Sequence, residues 1–298
     1  MKKSSKICAL VLAAVMMLTL LAGCQTGGGT GDGNEGNGNG NEGKEVLTVA
    51  LSPDFSPMEF VDTSKSGQDQ YVGFDVSLAK YIASELGMDL EIKAMSFDAC
   101  QTAVQLGSVD MSISGFSWTE ERAENYLMSD YYYAGENAAT QTLIVLADNA
   151  DNYKSLEDFA GLTVAAQSAS LQMNLCNEQL PEDCTIKEFK AIDDAVLALK
   201  TGKVDAVAVE GGNGAAIVSN NPDLALSGVL FSVDEASENN VVLLNKNDTE
   251  MLEKVNEILA KANEAGLYGE WYAEALELAG IESASEISYD DDGNAIDE

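Results

Sequence analysis

The chain has 298 residues, of which 50 are acidic, 16 are basic and none is histidine, giving a formal net charge of −34. A surface this acidic disfavours nucleic acid as a partner, because carboxylates and phosphates repel each other. The absence of histidine excludes Ser-His triads, Cys-His dyads and histidine-based zinc sites. We expect neither a cofactor nor a metal site.

The first 23 residues are typical of an export signal. Three lysines lie among the first six residues, and residues 7–21 form an apolar run that is shorter than the roughly 20 residues of a membrane-spanning helix. The run ends at Leu21-Ala22-Gly23-Cys24, which resembles the lipobox of bacterial lipoproteins. That resemblance implies lipid modification of Cys24 and anchoring to the cell membrane on its extracytoplasmic side. The alternative is an ordinary signal with a chance cysteine.

Residues 24–44 are rich in glycine and asparagine, and such a segment cannot bury a core. We therefore predict a flexible tether there and a disordered acidic tail over residues 281–298. The cysteines Cys100, Cys176 and Cys184 form an odd set for a disulfide framework. A pairing of Cys176 with Cys184 is left open, and Cys100 is expected to be a small buried residue.

Between tether and tail, apolar periodicity predicts alternating strands and helices. In the first half we predict strands at 46–51, 90–95 and 109–114, with helices at 73–87 and 97–106. In the second half we predict strands at 162–166, 185–189 and 204–209, with helices at 171–179 and 192–200. A strand at 240–244 and helices at 249–265 and 267–278 follow.

The two halves share a local signature. Leu106-Gly107-Ser108-Val109-Asp110 and Thr201-Gly202-Lys203-Val204-Asp205 each follow an amphipathic helix and precede an apolar strand. The sequence therefore predicts an α/β protein with two similar lobes.

Two segments have the composition of binding loops. The segment from Ser114 to Arg122 follows a predicted strand and enters a helix at an N-cap, Thr119. Hydroxyls, backbone N–H groups and one arginine there suit a carboxylate ligand, although a lone arginine is also common on surfaces. Gly211-Gly212-Asn213-Gly214 matches no phosphate-binding motif and is interpreted as a turn into a helix.

Several motifs, in order and spacing, resemble the family of bacterial extracellular solute-binding proteins (family 3) that serve polar amino acid ABC transporters. They are Ser56-Pro57-Met58-Glu59-Phe60, Val72-Gly73-Phe74-Asp75-Val76-Ser77-Leu78-Ala79, Gly107-Ser108-Val109-Asp110, the segment from Ser114 to Arg122, Ser129-Asp130-Tyr131-Tyr132, residues 164–170, and Val204-Asp205-Ala206. The resemblance spans residues 46–279, nearly the whole predicted ordered chain.

The resemblance implies a type II periplasmic-binding-protein-like fold, in which two α/β lobes are joined by two crossing strands. It places lobe 1 at residues 45–138 and 236–280, and lobe 2 at residues 139–235. It also implies a lipoprotein that closes its lobes around a polar amino acid and delivers it to an ABC transporter permease. Such a receptor is not an enzyme.

The resemblance also implies a set of ligand-binding residues. Arg122 is expected to pair with the ligand α-carboxylate, helped by Ser114, Ser117, Ser168 and Ser170. Phe55 takes the aromatic position that stacks on the ligand side chain. Glu210 stands where relatives usually carry an aspartate for the α-ammonium, and it is one methylene longer.

Three questions stay open from the sequence. Ser52 stands where some relatives that bind basic amino acids have an acid, which puts a cationic ligand in doubt. Trp118 either lines the cleft or covers the edge of a lobe. The rival functions are an enzyme on the same fold that dehydrates a small carboxylic acid, and a sensory lipoprotein.

Overall fold

The computed structural model describes residues 44–133 and 140–281, and the backbone of residues 288–289 and 295–296. The predictions for the export signal, Cys24, the tether and most of the acidic tail lie outside these residues. In the tail, two short strands, β14 (Ser288–Tyr289) and β15 (Ala295–Ile296), pair antiparallel with each other.

Lobe 1 is built on a five-stranded sheet with the order β5-β1-β6-β13-β7. Its strands are β1 (Val46–Leu51), β5 (Asp89–Ala94), β6 (Met111–Ser112), β7 (Leu127–Met128) and β13 (Leu243–Leu244). The strand β1 pairs parallel with β5 and β6, whereas β13 is antiparallel to β6 and β7. A small antiparallel sheet of β2 (Asp54–Phe55), β3 (Glu59–Val61) and β4 (Tyr71–Val72) follows β1.

Lobe 2 repeats this arrangement with the sheet order β10-β9-β11-β8-β12. Its strands are β8 (Gln141–Leu146), β9 (Thr163–Gln167), β10 (Thr185–Phe189), β11 (Ala206–Glu210) and β12 (Leu224–Leu230). The strand β9 is parallel to β10 and β11, and β8 is antiparallel to β11 and β12. The parallel triplets β5-β1-β6 and β10-β9-β11 are equivalent, which confirms the two similar lobes predicted from the repeated signature.

The helices cover the sheets. Lobe 1 contains α1 (Phe74–Leu86), α2 (Phe97–Gln105), α3 (Glu120–Asn125), α7 (Thr249–Glu264) and α8 (Leu267–Leu278). Lobe 2 contains α4 (Leu171–Gln179), α5 (Ile192–Lys200) and α6 (Gly211–Ser219). Short 3₁₀ helices lie at Gly67–Gln70, Ala147–Asn152, Leu156–Phe159 and Glu235–Glu238.

The apolar face of α1 explains why the C-terminal helices return to lobe 1. Phe74, Leu78 and Ile82 of this face are fully buried and belong to one core cluster with Ile258 of α7 and Tyr272 of α8. Because the three helices bury their apolar faces against one another, residues more than 170 positions apart in sequence hold one lobe together.

The structure shortens two predicted strands and closes one open question. The predicted strand 109–114 is shortened to Met111 and Ser112, although Asp110 and Ile113 each still donate one backbone hydrogen bond to β1. The predicted strand 240–244 is likewise shortened to Leu243 and Leu244. Within the described residues Cys100, Cys176 and Cys184 are free thiols. No helix in the described ranges is both long and apolar enough to cross a membrane.

Candidate functional site

A cavity lies between the lobes, at the C-terminal ends of the parallel strands. Residues that follow β1, β6, β9 and β11 surround it, as expected where parallel α/β sheets end. Lobe 1 contributes Asp54, Phe55, Glu59, Ser114, Ser117 and Arg122, among others. Lobe 2 contributes Gln167, Ser170, Leu171, Ile192 and Glu210, among others.

Arg122 is the cation of this cavity. Thr119 caps α3 by accepting a hydrogen bond of 3.2 Å from the backbone N–H of Arg122, which fixes the first turn of the helix. The guanidinium is buried, and its carbon lies 5.6 Å and 5.4 Å from the ring centroids of Phe97 and Phe116. Burial lowers the pKa of Arg122 to about 10, so the side chain stays charged at neutral pH.

The guanidinium of Arg122 donates hydrogen bonds to two backbone carbonyls. Nη1 donates to the carbonyl of Ser117 at 2.7 Å, and Nη2 donates to the carbonyl of Ala169 at 2.9 Å. Gln101 also donates to the Ala169 carbonyl, from Nε2 at 3.2 Å. Since Ala169 belongs to lobe 2, these hydrogen bonds tie the lobes together at one side of the cavity.

Phe55 reaches the cavity over a glycine. Gly115 has φ of +56°, and a Cβ there would lie 2.8 Å from Cε1 of Phe55. Only a residue without a side chain permits both this backbone conformation and this close approach. The ring packs against the apolar cores of both lobes, so its position depends on closure.

Asp54 ties the lobes together at the other side of the cavity. Its Oδ2 accepts from the backbone N–H of Ile192, the first residue of α5, at 2.8 Å, and from Gln167 Nε2 at 3.2 Å. Its Oδ1 accepts from the hydroxyl of Ser52 at 2.8 Å. Burial raises the pKa of Asp54, while the hydrogen bond from the Ile192 N–H acts in the opposite direction.

Glu210 is the acid that lobe 2 brings to the cavity. It caps α6, since its carboxylate oxygens accept from the backbone N–H groups of Gly212 and Asn213, each at 2.8 Å. Burial raises the pKa of Glu210 to about 7 in spite of these two hydrogen bonds. A cationic ligand group beside it therefore favours the ionised form.

Of the predicted ligand-binding residues, six line the one cavity: Phe55, Ser114, Ser117, Arg122, Ser170 and Glu210. Ser168 is placed differently, because its hydroxyl hydrogen-bonds to Glu188 Oε1 at 2.6 Å and to the carbonyl of Phe189 at 3.1 Å. Trp118 lies outside the lining and borders two surface depressions instead.

Two carboxyls of the lining, those of Asp54 and Glu59, were not predicted from the sequence. Glu59 belongs to the motif from Ser56 to Phe60, which was the available signal for it, whereas Asp54 lies in no motif. Glu59 is fully buried beside Asp75, which is buried as well. Among 50 acidic residues, spacing alone does not reveal which carboxyls a fold buries.

The sequence matches one protein family and several named amino-acid-binding proteins. The profile of the bacterial extracellular solute-binding proteins, family 3, matches residues 47–277. The arginine-binding extracellular protein ArtP of Bacillus subtilis is 30% identical over 251 residues, covering 84% of this chain and 93% of that protein. A probable histidine-binding protein of Campylobacter jejuni is 28% identical, covering 60% of this chain and 65% of that protein.

A solved structure shows the same fold. It is that of the amino acid ABC transporter substrate-binding protein AbpA from Streptococcus pneumoniae bound to L-arginine, with a TM-score of 0.71 and 35% sequence identity. The match covers 80% of this chain and 97% of that chain. The two lobes are therefore those of the type II fold expected from the sequence.

Proposed function

Because the chain belongs to the bacterial extracellular solute-binding proteins of family 3, we propose that it captures a free amino acid between its lobes and delivers it to an ABC transporter permease. The lobes correspond to residues 45–138 with 236–280 and to residues 139–235. The protein is anchored through lipid-modified Cys24 on the extracytoplasmic side of the cell membrane.

The observation that carries this proposal is the placement of opposite charges on opposite lobes of one cavity. Arg122 lines it from lobe 1, and Glu210 lines it from lobe 2. An α-carboxylate beside Arg122 and an α-ammonium beside Glu210 satisfy both charges only when the lobes are closed. Ligand binding thus favours the closed state through contacts that the open state lacks.

The ligand in this proposal is an amino acid with a cationic side chain, and arginine is the first choice. Asp54 and Glu59 add two carboxyls to the cavity, and a buried cation requires such partners. Asp54 and Glu59 thus supply the acidic side chains that some relatives carry at the position of Ser52. The names of the relatives, arginine-binding ArtP and arginine-bound AbpA, agree with this ligand.

Thermal unfolding of the purified protein with a panel of L-amino acids tests the proposal. A ligand that binds only the folded state raises the unfolding midpoint, and at about 100 times its Kd it adds about 2.7 kcal/mol of stability. L-Arginine should raise the midpoint and D-arginine should not. If no amino acid raises the midpoint at millimolar concentration, the proposal fails.

A further inference from the structure

A pair of buried carboxyls lies under the ligand cavity. Glu59 on β3 and Asp75 at the start of α1 are both 0% exposed. They are held side by side, because the backbone N–H of Asp75 donates to the carbonyl of Met58, the residue before Glu59, at 2.8 Å. Ser114 donates its hydroxyl to Glu59 Oε1. Asp75 Oδ2 accepts from the backbone N–H of Gly115 at 2.7 Å and from the Tyr132 hydroxyl at 3.1 Å. Glu59 Oε2 and Asp75 Oδ1 receive no donor from the described residues.

Two facing carboxyls without a cation share a proton. None of the ion pairs within the described residues includes Glu59 or Asp75. The other titratable groups acting on the pair are Asp54 after β1, Cys100 on α2 and Tyr132 after β7, and all of them are acids. Two ionised carboxylates close together in such a site repel each other strongly, so one retains a proton.

The hydrogen bonds show which carboxyl holds this proton. Asp75 receives two donors on one oxygen, which stabilise a carboxylate, whereas Glu59 receives one. Burial, with the Asp75 charge as the next cause, raises the pKa of Glu59 well above its usual range. Glu59 is therefore the acid and Asp75 the base of the pair, and Glu59 is the member that lines the cavity.

We propose that the cationic side chain of the ligand takes the place of this proton, so that binding of each cationic amino acid releases a proton from Glu59. The inference rests on the proposed function and adds to it a proton exchange at the same site. A guanidinium beside Glu59 stabilises its ionised carboxylate. In the ligand-free protein, the bound proton neutralises that carboxyl group instead. The ligand cation then faces the ionised Glu59, with the ionised Asp75 behind it, and the proton leaves to solvent.

The exchange has a definite direction with pH. The ligand-free protein carries the proton at neutral pH and the ligand-bound protein does not, so affinity for a cationic ligand rises with pH. Release of one full proton corresponds to about tenfold in affinity per pH unit, until the free protein loses the proton by itself. A neutral side chain gains nothing from ionised Glu59, so a neutral ligand shows only the pH dependence that Glu210 gives to every amino acid.

Calorimetric titration with L-arginine and L-citrulline tests the exchange. Citrulline has the same α-carboxylate and α-ammonium but an uncharged side chain, so protons released at Glu210 are common to both ligands. Titration in buffers of different ionisation enthalpy, at pH values from about 6 to about 9, counts the protons released. We expect arginine to release about one proton more than citrulline over part of this range.

The variant Glu59→Gln is the matched control, because its amide can still donate to Asp75. It should bring the proton count of arginine down to that of citrulline and weaken arginine binding more than citrulline binding. If wild-type protein binds arginine but releases no more protons than it does with citrulline, the exchange is wrong and the proposed function stands. If arginine does not bind at all, both are wrong for this ligand. The wild-type proton count decides the matter even if the variant fails to fold.

Discussion

Arg122 on lobe 1 donates a hydrogen bond of 2.9 Å from Nη2 to the backbone carbonyl of Ala169 on lobe 2. The residue expected to hold the ligand α-carboxylate thus also holds the opposite lobe. Ala169 has φ of +59° and is exposed, so its conformation is not imposed by packing of its side chain. The left-handed backbone of Ala169 turns its carbonyl toward Arg122. The same guanidinium therefore serves both the binding of the ligand and the closure of the lobes.

Removal of the guanidinium should abolish ligand capture. Arg122→Ala leaves an α-carboxylate buried without its cation, and breaking a buried pair in this way costs about 3–5 kcal/mol, or about a thousandfold in affinity. Calorimetry with L-arginine measures the loss. The matched control is Lys190→Ala, which removes an exposed bridge of 3.4 Å to Asp98 between the same lobes and should change affinity by about twofold or less. Equal effects of the two variants would contradict the assigned role of Arg122.

The backbone of Ala169 should tolerate glycine and resist a branched side chain. Ala169→Gly keeps the left-handed conformation without strain, so ligand affinity should stay within about threefold of wild type. Ala169→Val destabilises the left-handed conformation by roughly 1–2 kcal/mol, and it should weaken ligand binding about tenfold because the carbonyl of residue 169 is displaced. Because the side chain of Ala169 is exposed, a packing defect in the core would not explain a loss of affinity. Equal affinity of both variants would show that this carbonyl does not matter for closure.

Gly115 should not accept even alanine. The new Cβ would meet Cε1 of Phe55 at 2.8 Å, and the left-handed φ of +56° adds strain. Gly115→Ala should lower the free energy of unfolding by about 2 kcal/mol and weaken ligand binding, because the Phe55 ring must move. Chemical denaturation measures the first effect. Gly87→Ala serves as a control with a similar φ of +71° but no atom within 4 Å of the new Cβ, so it should retain affinity.

Glu210 should make binding of neutral amino acids depend on pH. Burial raises its pKa to about 7, so near and below that pH the free protein is increasingly protonated there. An α-ammonium favours the ionised form, so affinity for citrulline should fall as pH drops below about 7, by up to about tenfold per pH unit, and should level off above it. Glu210→Gln should flatten this profile, whereas Glu182→Gln, at an exposed position, should leave it unchanged.

Much of the fold follows from the sequence because apolar periodicity fixes strands and helices that face a core. The strand at Val46–Leu51 and the helices at Leu171–Gln179 and Ile192–Lys200 have the predicted bounds. The short strands Asp54–Phe55 and Tyr71–Val72 were not predicted, since two residues carry no periodicity. Their pairing is set by contacts between segments far apart in sequence.

The candidate site was predictable only in part, for a physical reason. Arg122 stands out because it is the single arginine of the sequence and a capped helix begins beside it. Asp54 and Glu59 do not stand out, because their burial depends on how lobe 2 closes over lobe 1. The hydrogen bond from Ile192 to Asp54 joins residues 138 positions apart, and no local pattern contains it.

Calorimetric titration of the purified protein with L-arginine tests the central claim most directly. We expect one L-arginine site per chain and loss of the signal in Arg122→Ala. Absence of binding by arginine and by every other amino acid, with the protein folded, would contradict an amino acid site between these lobes.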